Sequence, residues 1–258
     1  MKYSEINFNV IPEHTFSLFI GKRGTGKTNL MIEHAKNICK NRSIEKIFVI
    51  DPTEKYNNYY KKKLDIENVM IYYSLNNSTW HTIIDEKIKN IGTECLLIVE
   101  NVAVGSSLKT IYRDIMFNSI NLTILWGTQY LEYELSRPEY INNYDFLFLA
   151  RENNLEQLQK YHKKFWNEAV SFEKFKTDFI TNTENFNFIV LHKPSGTFFS
   201  HNAKYLLTIG NKVVTVIDYS DLLDMVDWLG LNENTSDIVL PKIMGSVIPV
   251  DTRICIEV

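Results

Sequence analysis

Glycines at positions 21, 24 and 26, followed at once by Lys27 and Thr28, are the residues whose types and spacing speak most directly of chemistry. In Gly21-Lys22-Arg23-Gly24-Thr25-Gly26-Lys27-Thr28 the glycines let the backbone turn tightly and aim successive N–H groups inward. That makes a nest for phosphate oxygens opening onto a helix N-terminus. Lys27 adds a point charge for β- and γ-phosphates, and the Thr28 hydroxyl suits Mg²⁺. Such a loop needs a strand before it and a helix after it. The apolar run Phe16 to Ile20 supplies the first. Beyond the loop Met31, Ala35 and Ile38 recur at i, i+4 and i+7 and leave Glu33, Lys36 and Lys40 for solvent. A glycine-rich surface turn would account for neither flank. ATP with Mg²⁺ is the expected ligand.

Magnesium needs a carboxylate opposite the threonine, at the end of a neighbouring buried strand. Leu96-Leu97-Ile98-Val99-Glu100-Asn101 fits that place, with Glu100 as the metal-side acid. The common form of this strand ends in Asp followed by an acid that orients or deprotonates the attacking water; Asn101 cannot act as a base. An ordinary strand-end acid facing solvent is the plainer account of Glu100. A third strand, Leu122 to Trp126, runs on through Gly127-Thr128-Gln129. A parallel sheet presents such residues at its ligand edge, so Gln129 could contact the γ-phosphate or position water. Taken alone, Gln129 would be a loop residue.

These groups must be held by a core, and 258 residues with 45% hydrophobic content can bury one. Apolar runs alternate with amphipathic stretches over the first 210 or so residues, as in parallel strands covered by helices on both faces. Strands are predicted at Phe16 to Ile20, Lys46 to Ile50, Val69 to Tyr73, Cys95 to Val99, Leu122 to Trp126, Phe146 to Ala150 and Phe186 to Leu191. Helices are predicted after the loop and at Trp80 to Ile91, Ser106 to Asn118, Leu155 to Trp166 and Phe172 to Thr181. The fold class is α/β, a P-loop NTPase domain over residues 1–207. A small mixed appendage follows over 208–258, with a strand at Val213 to Asp218, a helix at Ser220 to Leu229, and strand-like pieces broken by Pro241, Gly245 and Pro249.

Cys39, Cys95 and Cys255 lie far apart, so neither a disulfide framework nor a zinc site is indicated, and a reducing compartment is the simplest setting. No apolar run is long enough to span a bilayer and the polar N-terminus lacks a signal-peptide core, so the chain is expected to be soluble and not secreted. A net charge of −3 argues against a broadly basic nucleic-acid-coating face; any DNA contact must be local. Lys160-Tyr161-His162-Lys163-Lys164-Phe165-Trp166 could contact nucleic acid, but its aromatics share one helical side and fit a core better. Lys61-Lys62-Lys63 fits a solvated loop. Asp218, Asp221, Asp224 and Asp227 suit a helix start with Leu222, Val226 and Leu229 buried, more than a metal site. None of the six histidines has metal-ligand spacing on a shared helix.

Several of these pieces occur in one order that resembles the genome-packaging ATPases of poxviruses and other large nucleocytoplasmic DNA viruses, a branch of the FtsK/HerA group. They are the loop Gly21 to Thr28, Asp51-Pro52-Thr53, Leu96 to Asn101, Thr128-Gln129, the run Asn143-Tyr144-Asp145-Phe146-Leu147-Phe148-Leu149-Ala150-Arg151-Glu152, and Phe175-Lys176 through Thr183-Glu184-Asn185 to Leu191. Together they cover roughly residues 12–206. The resemblance implies a RecA-like or FtsK/HerA-like ATPase acting as a homo-oligomeric ring that drives double-stranded DNA into preformed particles. The setting it implies is the cytoplasm of an infected host cell, in the viral factory, with contacts to the virion and its capsid proteins. The family ends the acid strand in two acids, where this chain has Glu100-Asn101. It also tends to carry an arginine where Ile141 stands. Arg137 and Arg151 are then the candidates for an arginine acting on a neighbour's nucleotide, with a surface ion pair as the alternative for each. A helicase or transfer motor in another setting, a small-molecule P-loop kinase, and a nucleotide-binding scaffold with weak hydrolysis remain open.

Overall fold

The structure, a computed structural model, describes residues 3–7, 11–64, 66–89, 92–102, 108–117, 121–166, 170–203, 205–209 and 212–216. Its centre is a sheet of nine strands: β1 (Ser4–Glu5), β2 (Phe16–Ile20), β3 (Ile44–Ile50), β4 (Val69–Tyr72), β5 (Glu94–Glu100), β6 (Leu122–Thr128), β7 (Phe146–Leu149), β8 (Asn187–His192) and β9 (Thr197–Asn202). Their order is β1-β9-β8-β7-β2-β6-β5-β3-β4. From β7 to β4 every pairing is parallel, while β8 runs antiparallel to both β7 and β9. The strand leading to Gln129, β6, therefore lies between the loop strand β2 and the acid strand β5.

Alternation along each strand divides the apolar residues between two faces, as the two-residue period of a strand requires. Leu18, Ile50, Leu97, Val99, Ile124 and Trp126 share one cluster; Phe19, Val49, Leu96, Ile98 and Leu125 share the other. The second face is covered by α1 (Lys27–Asn41), through Leu30, Met31, Ala35 and Ile38, and by α3 (Tyr59–Leu64), which follows the short α2 (Glu54–Asn57). The first is covered by α4 (Asn77–Lys89), α5 (Lys109–Phe117), α6 (Pro138–Ile141), α7 (Leu155–Tyr161) and α8 (Phe172–Asn182). Both faces are thus dry, which is why the central strands are continuous apolar runs.

All seven strands expected over residues 1–207 form, with ends shifted by a few residues at most. Six elements carried no clear signal: β1, β9, the two short helices α2 and α3 between Asp51 and Val69, α6, and the strand Tyr205–Ile209. The expected helix from Leu155 to Trp166 is α7 followed by a wider π-type turn over His162–Trp166. Its Tyr161 and Trp166 are buried against α8, Trp166 with its ring 4.7 Å from that of Phe175, so the aromatics there belong to the core. Lys61 and Lys62 lie exposed on α3, in a helix where a loop was expected.

A separate antiparallel hairpin joins β10 (Tyr205–Ile209) and β11 (Lys212–Val216), astride the expected boundary at 207/208. The expected helix at Ser220 to Leu229, the four aspartates from Asp218 to Asp227, and Cys255 lie outside the described residues. Among the described residues no helix is long and apolar enough to cross a membrane.

Candidate nucleotide-binding site

At the C-terminal edge of β2 the chain leaves the sheet at Gly21, whose N–H donates to the Thr128 carbonyl at 3.0 Å. A β-carbon on Gly21 would lie 2.6 Å from both the Ala150 β-carbon and the Thr25 hydroxyl, so only glycine fits the exit. Gly24 and Gly26 both have φ +84°, the left-handed conformation that folds the loop back over the helix start. The Thr25 hydroxyl donates to the Lys22 carbonyl at 2.8 Å and closes the turn. The Lys22 ammonium donates at 2.6 Å to Glu152, a buried carboxylate on the segment after β7 that also accepts the N–H groups of Asn153 and Asn154. The loop is therefore anchored to the strand on one side of β2 and to β6 on the other.

Helix α1 starts at Lys27 with no side chain capping its first turn and no acid in that turn. Fifteen residues of aligned peptide dipoles thus point their positive end into a glycine loop. Uncapped N–H groups at such an end are suited to an oxyanion.

Glu100 stands opposite, at the end of β5 and 1% exposed. One of its carboxylate oxygens receives the Lys27 ammonium and, at 2.8 Å, the Thr28 hydroxyl. Its other oxygen accepts from the Tyr60 hydroxyl at 2.6 Å. The solvated strand-end alternative for Glu100 is therefore overturned. A hydroxyl and a carboxylate oxygen side by side at 2.8 Å are hard oxygen donors of the kind Mg²⁺ takes, so the residues fit that ion. Gly127 on β6 makes room for the convergence: a β-carbon there would lie 2.7 Å from the Met31 sulfur and 3.2 Å from Glu100 Cγ.

Tyr60 comes from α3 and is fully buried; burial first, then the charge of Glu100 and its hydrogen bond, then Asp51 and Glu54, hold its phenol well above the usual range. Glu54, also buried, accepts the N–H groups of Tyr60 and Lys61 at 3.0 and 2.8 Å and so fixes the start of α3. The neighbouring Tyr59 hydroxyl donates to Asn29, one residue past Thr28. Tyr60 and Glu54 belong to no motif, and nothing in the sequence pointed to them. Glu152 had a signal only as the last residue of the Asn143 to Glu152 run.

Asn101 is in the left-handed region at φ +57° and its amide donates at 3.1 Å to Asp51, at the end of β3. Gln129 lies exposed directly after Thr128, at the edge where Gly21 leaves the sheet, and Arg23 is exposed at the loop's tip. The two candidate arginines are both engaged within the chain. Arg137 pairs with Glu134 at 3.0 Å and with Glu139, and lies over the Tyr140 ring; Arg151 pairs with Glu184 at 3.3 Å. No contact joins either to Glu100 among the described residues.

A scan against protein-family models finds no match, and a search of curated proteins finds none either. Among solved structures the chain is similar to the DNA-packaging ATPase B204 from Sulfolobus turreted icosahedral virus, with a TM-score of 0.58 and 16% identity over 74% of this chain and 98% of that one. The genome-packaging NTPase B204 from Sulfolobus turreted icosahedral virus 2, in complex with AMP, gives 0.55 at 16% identity over 74% and 98%. The pCW3 conjugation coupling protein TcpA, in its monomer form with ATPγS, gives 0.53 at 10% identity over 76% of this chain and 61% of that one. At such identities the likeness is one of architecture, and what it establishes is that this chain has the α/β fold of P-loop NTPases, a mostly parallel sheet flanked by helices.

Proposed function

We propose that this chain is an ATPase motor that moves double-stranded DNA, of the kind that packages viral genomes into preformed particles, working as a homo-oligomeric ring. The observation that carries the ATPase part is the convergence of Lys27 and Thr28 on one oxygen of buried Glu100, directly below the uncapped, acid-free start of α1. Three kinds of group that a magnesium triphosphate needs stand there together: backbone donors, an ammonium, and hard oxygens. In the mechanism this implies, the loop amides hold the phosphate chain and Lys27 reaches its β- and γ-oxygens. Thr28 and Glu100 would hold Mg²⁺, which when bound would supply positive charge against the negative charge of the phosphates. Gln129, at the edge of β6, contacts the γ-phosphate or aligns water. An arginine of the next subunit, Arg137 or Arg151, meets the transition-state charge.

The motor part rests on the order of the sequence pieces from Gly21 to Leu191, and on structural likeness to proteins described as a DNA-packaging ATPase, a genome-packaging NTPase and a conjugation coupling protein. Contacts to capsid proteins and action in the cytoplasm of an infected cell follow from the same reading. A net charge of −3 confines the DNA contact to local phosphate-gripping groups. Asn101 favours one second reading, a scaffold that holds nucleotide and scarcely turns it over.

Steady-state ATP hydrolysis with and without duplex DNA at low salt, on verified oligomer, separates these. Turnover that rises with DNA is expected. Turnover indifferent to DNA would sink the motor, and tight ATP binding without turnover would leave the scaffold. Lys27→Ala is expected to abolish tight ATP binding; an unchanged affinity would mean that the triphosphate does not sit on this loop.

A further inference from the structure

The residue after Glu100 is an amide, so the strand that usually supplies both acids here supplies one. The neighbouring strand β3 is followed at once by Asp51, and Ile50 pairs with Val99, which puts Asp51 beside Glu100. Strand alternation sets the face. Val49 and Ile98 share the α1-side cluster, and two residues further on in each case come Asp51 and Glu100, on that same side at the same edge. Their proximity is also felt by Tyr60, whose hydroxyl bonds Glu100 and whose phenol Asp51 helps to hold un-ionised.

Asp51 is 2% exposed and its carboxylate is held in one orientation. The Thr53 N–H donates to Oδ1 at 2.8 Å, the Thr53 hydroxyl reaches Oδ1 at 2.9 Å and Oδ2 at 3.0 Å, and the Asn101 amide donates to Oδ1 at 3.1 Å. Oδ1 is thus saturated, whereas among the described residues Oδ2 takes only a share of one hydroxyl and has capacity for a further donor. Asn101 adopts φ +57°, an uncommon backbone conformation for a residue with a side chain, while its amide makes this bond. The other nearby acids are spoken for. Both oxygens of Glu54 take N–H groups at the start of α3. Glu152 binds Lys22, and Glu132 bonds Thr128 and acts on Tyr112 of the opposite face.

We infer that Asp51 orients the attacking water and receives its proton, in the part that Asn101 cannot play, and that Asn101 instead steadies Asp51. The inference rests on the ATPase reading above. The water oxygen bonds to the γ-phosphorus as the bond from that phosphorus to the β,γ-bridging oxygen breaks. The electron pair of the broken bond stays with the bridging oxygen of ADP, and the water's proton passes to Oδ2 of Asp51 and on to solvent. The acid is thereby transferred from one strand to the next, at the same sheet edge.

The test measures single-turnover ATP hydrolysis, ATP affinity and thermal unfolding on the full chain, for the wild type, Asp51→Asn and Asp51→Ser. Hydrolysis in both variants is expected to fall by about 100-fold or more, the usual worth of a positioned general base. ATP affinity is expected to stay within a few-fold and the melting temperature close to the wild type. Hydrolysis within about three-fold of the wild type in either folded variant would overturn the assignment. So would a fall matched in both variants by an equal loss of affinity or of melting temperature, since that marks a structural role. A wild type that binds ATP but shows no turnover at all would instead overturn the ATPase reading itself, before Asp51 is at issue.

Discussion

Glu100 organises the site at the scale of single residues, because three donors from two elements end on it: Lys27 and Thr28 from α1 and Tyr60 from α3. A buried carboxylate is tolerable only when its lone pairs are matched, so each donor is tied to the stability of the whole. Tyr60→Phe removes the single donor on one carboxylate oxygen and keeps the ring, and is expected to lower unfolding free energy by about 1–3 kcal/mol in chemical denaturation. No change there would mean that water replaces the hydroxyl without loss. Gly127 is the complementary case, a residue defined by what cannot be present. Gly127→Ala drives a β-carbon to 2.7 Å from the Met31 sulfur and 3.2 Å from Glu100 Cγ. Met31 is flexible and can yield, so the protein should still fold; displacement of Glu100 should appear as weaker magnesium-dependent ATP binding. Wild-type affinity in that variant would show that Glu100 need not sit against β6. The loop and Glu100 were legible in the sequence because phosphate chemistry dictates residue types at fixed spacing. Tyr60 was not, since a tyrosine that reaches a carboxylate 40 positions away leaves no local pattern.

Elements deliver these residues by ending where they do. Helix α1 begins without a cap at Gly26, and at its other end the Arg42 N–H bonds the Ile38 carbonyl while the guanidinium reaches Glu94 at 3.0 Å and the carbonyls of Ile11 and Pro12. The start of the helix is thus left for a ligand and its end is locked to the sheet. Midway, His34 is buried against Phe19 and Phe148, whose rings stack on each other 4.3 Å apart. Burial first, then the positive charge of Arg42 and the neighbouring His201, lowers the His34 pKa from 6.5 to about 3. The unfolded chain therefore takes up a proton between those values that the folded chain refuses. Stability should be independent of this group above about pH 6.5 and should fall as pH drops toward 3, by at most about 1.4 kcal/mol per pH unit. Denaturation midpoints across that range should decline less steeply in His34→Leu than in the wild type; parallel slopes would show that His34 titrates normally. The periodic elements were readable because dry strands and a one-sided helix force apolar spacing. Helices α2 and α3 were not, being too short for a period and fixed by Glu54 and Tyr60 through tertiary bonds.

For the whole molecule, the sheet order sets one edge as the working edge: the loop after β2, Gln129 after β6, Glu100 on β5 and Asp51 after β3 all lie at C-terminal strand ends, as ligands in open α/β sheets require. At this edge Arg23 is exposed at the loop's tip, and neither Arg137 nor Arg151 contacts Glu100 among the described residues. Arg137 is held by Glu134, Glu139 and the Tyr140 ring, whereas Arg151 is 40% exposed and pairs with one half-exposed glutamate, Glu184. Exposed pairs of this kind contribute little and exchange readily, so Arg151 is the freer of the two to engage a neighbour's nucleotide. Subunit mixing tests this, because in the proposed ring each interface would join one chain's nucleotide site to the next chain's arginine. Lys27→Ala subunits keep the arginine and lose the site; Arg151→Ala subunits keep the site and lose the arginine. Each alone should hydrolyse ATP poorly. In an equimolar mixture about a quarter of the interfaces join an intact site to an intact arginine, and turnover should recover to about that fraction if the sites act independently. Recovery with Arg137→Ala in place of Arg151→Ala would transfer the role to Arg137. Recovery with neither, in rings shown to be mixed, would mean that no arginine of the pair acts across a subunit boundary, and the ring would then have to work without that contact.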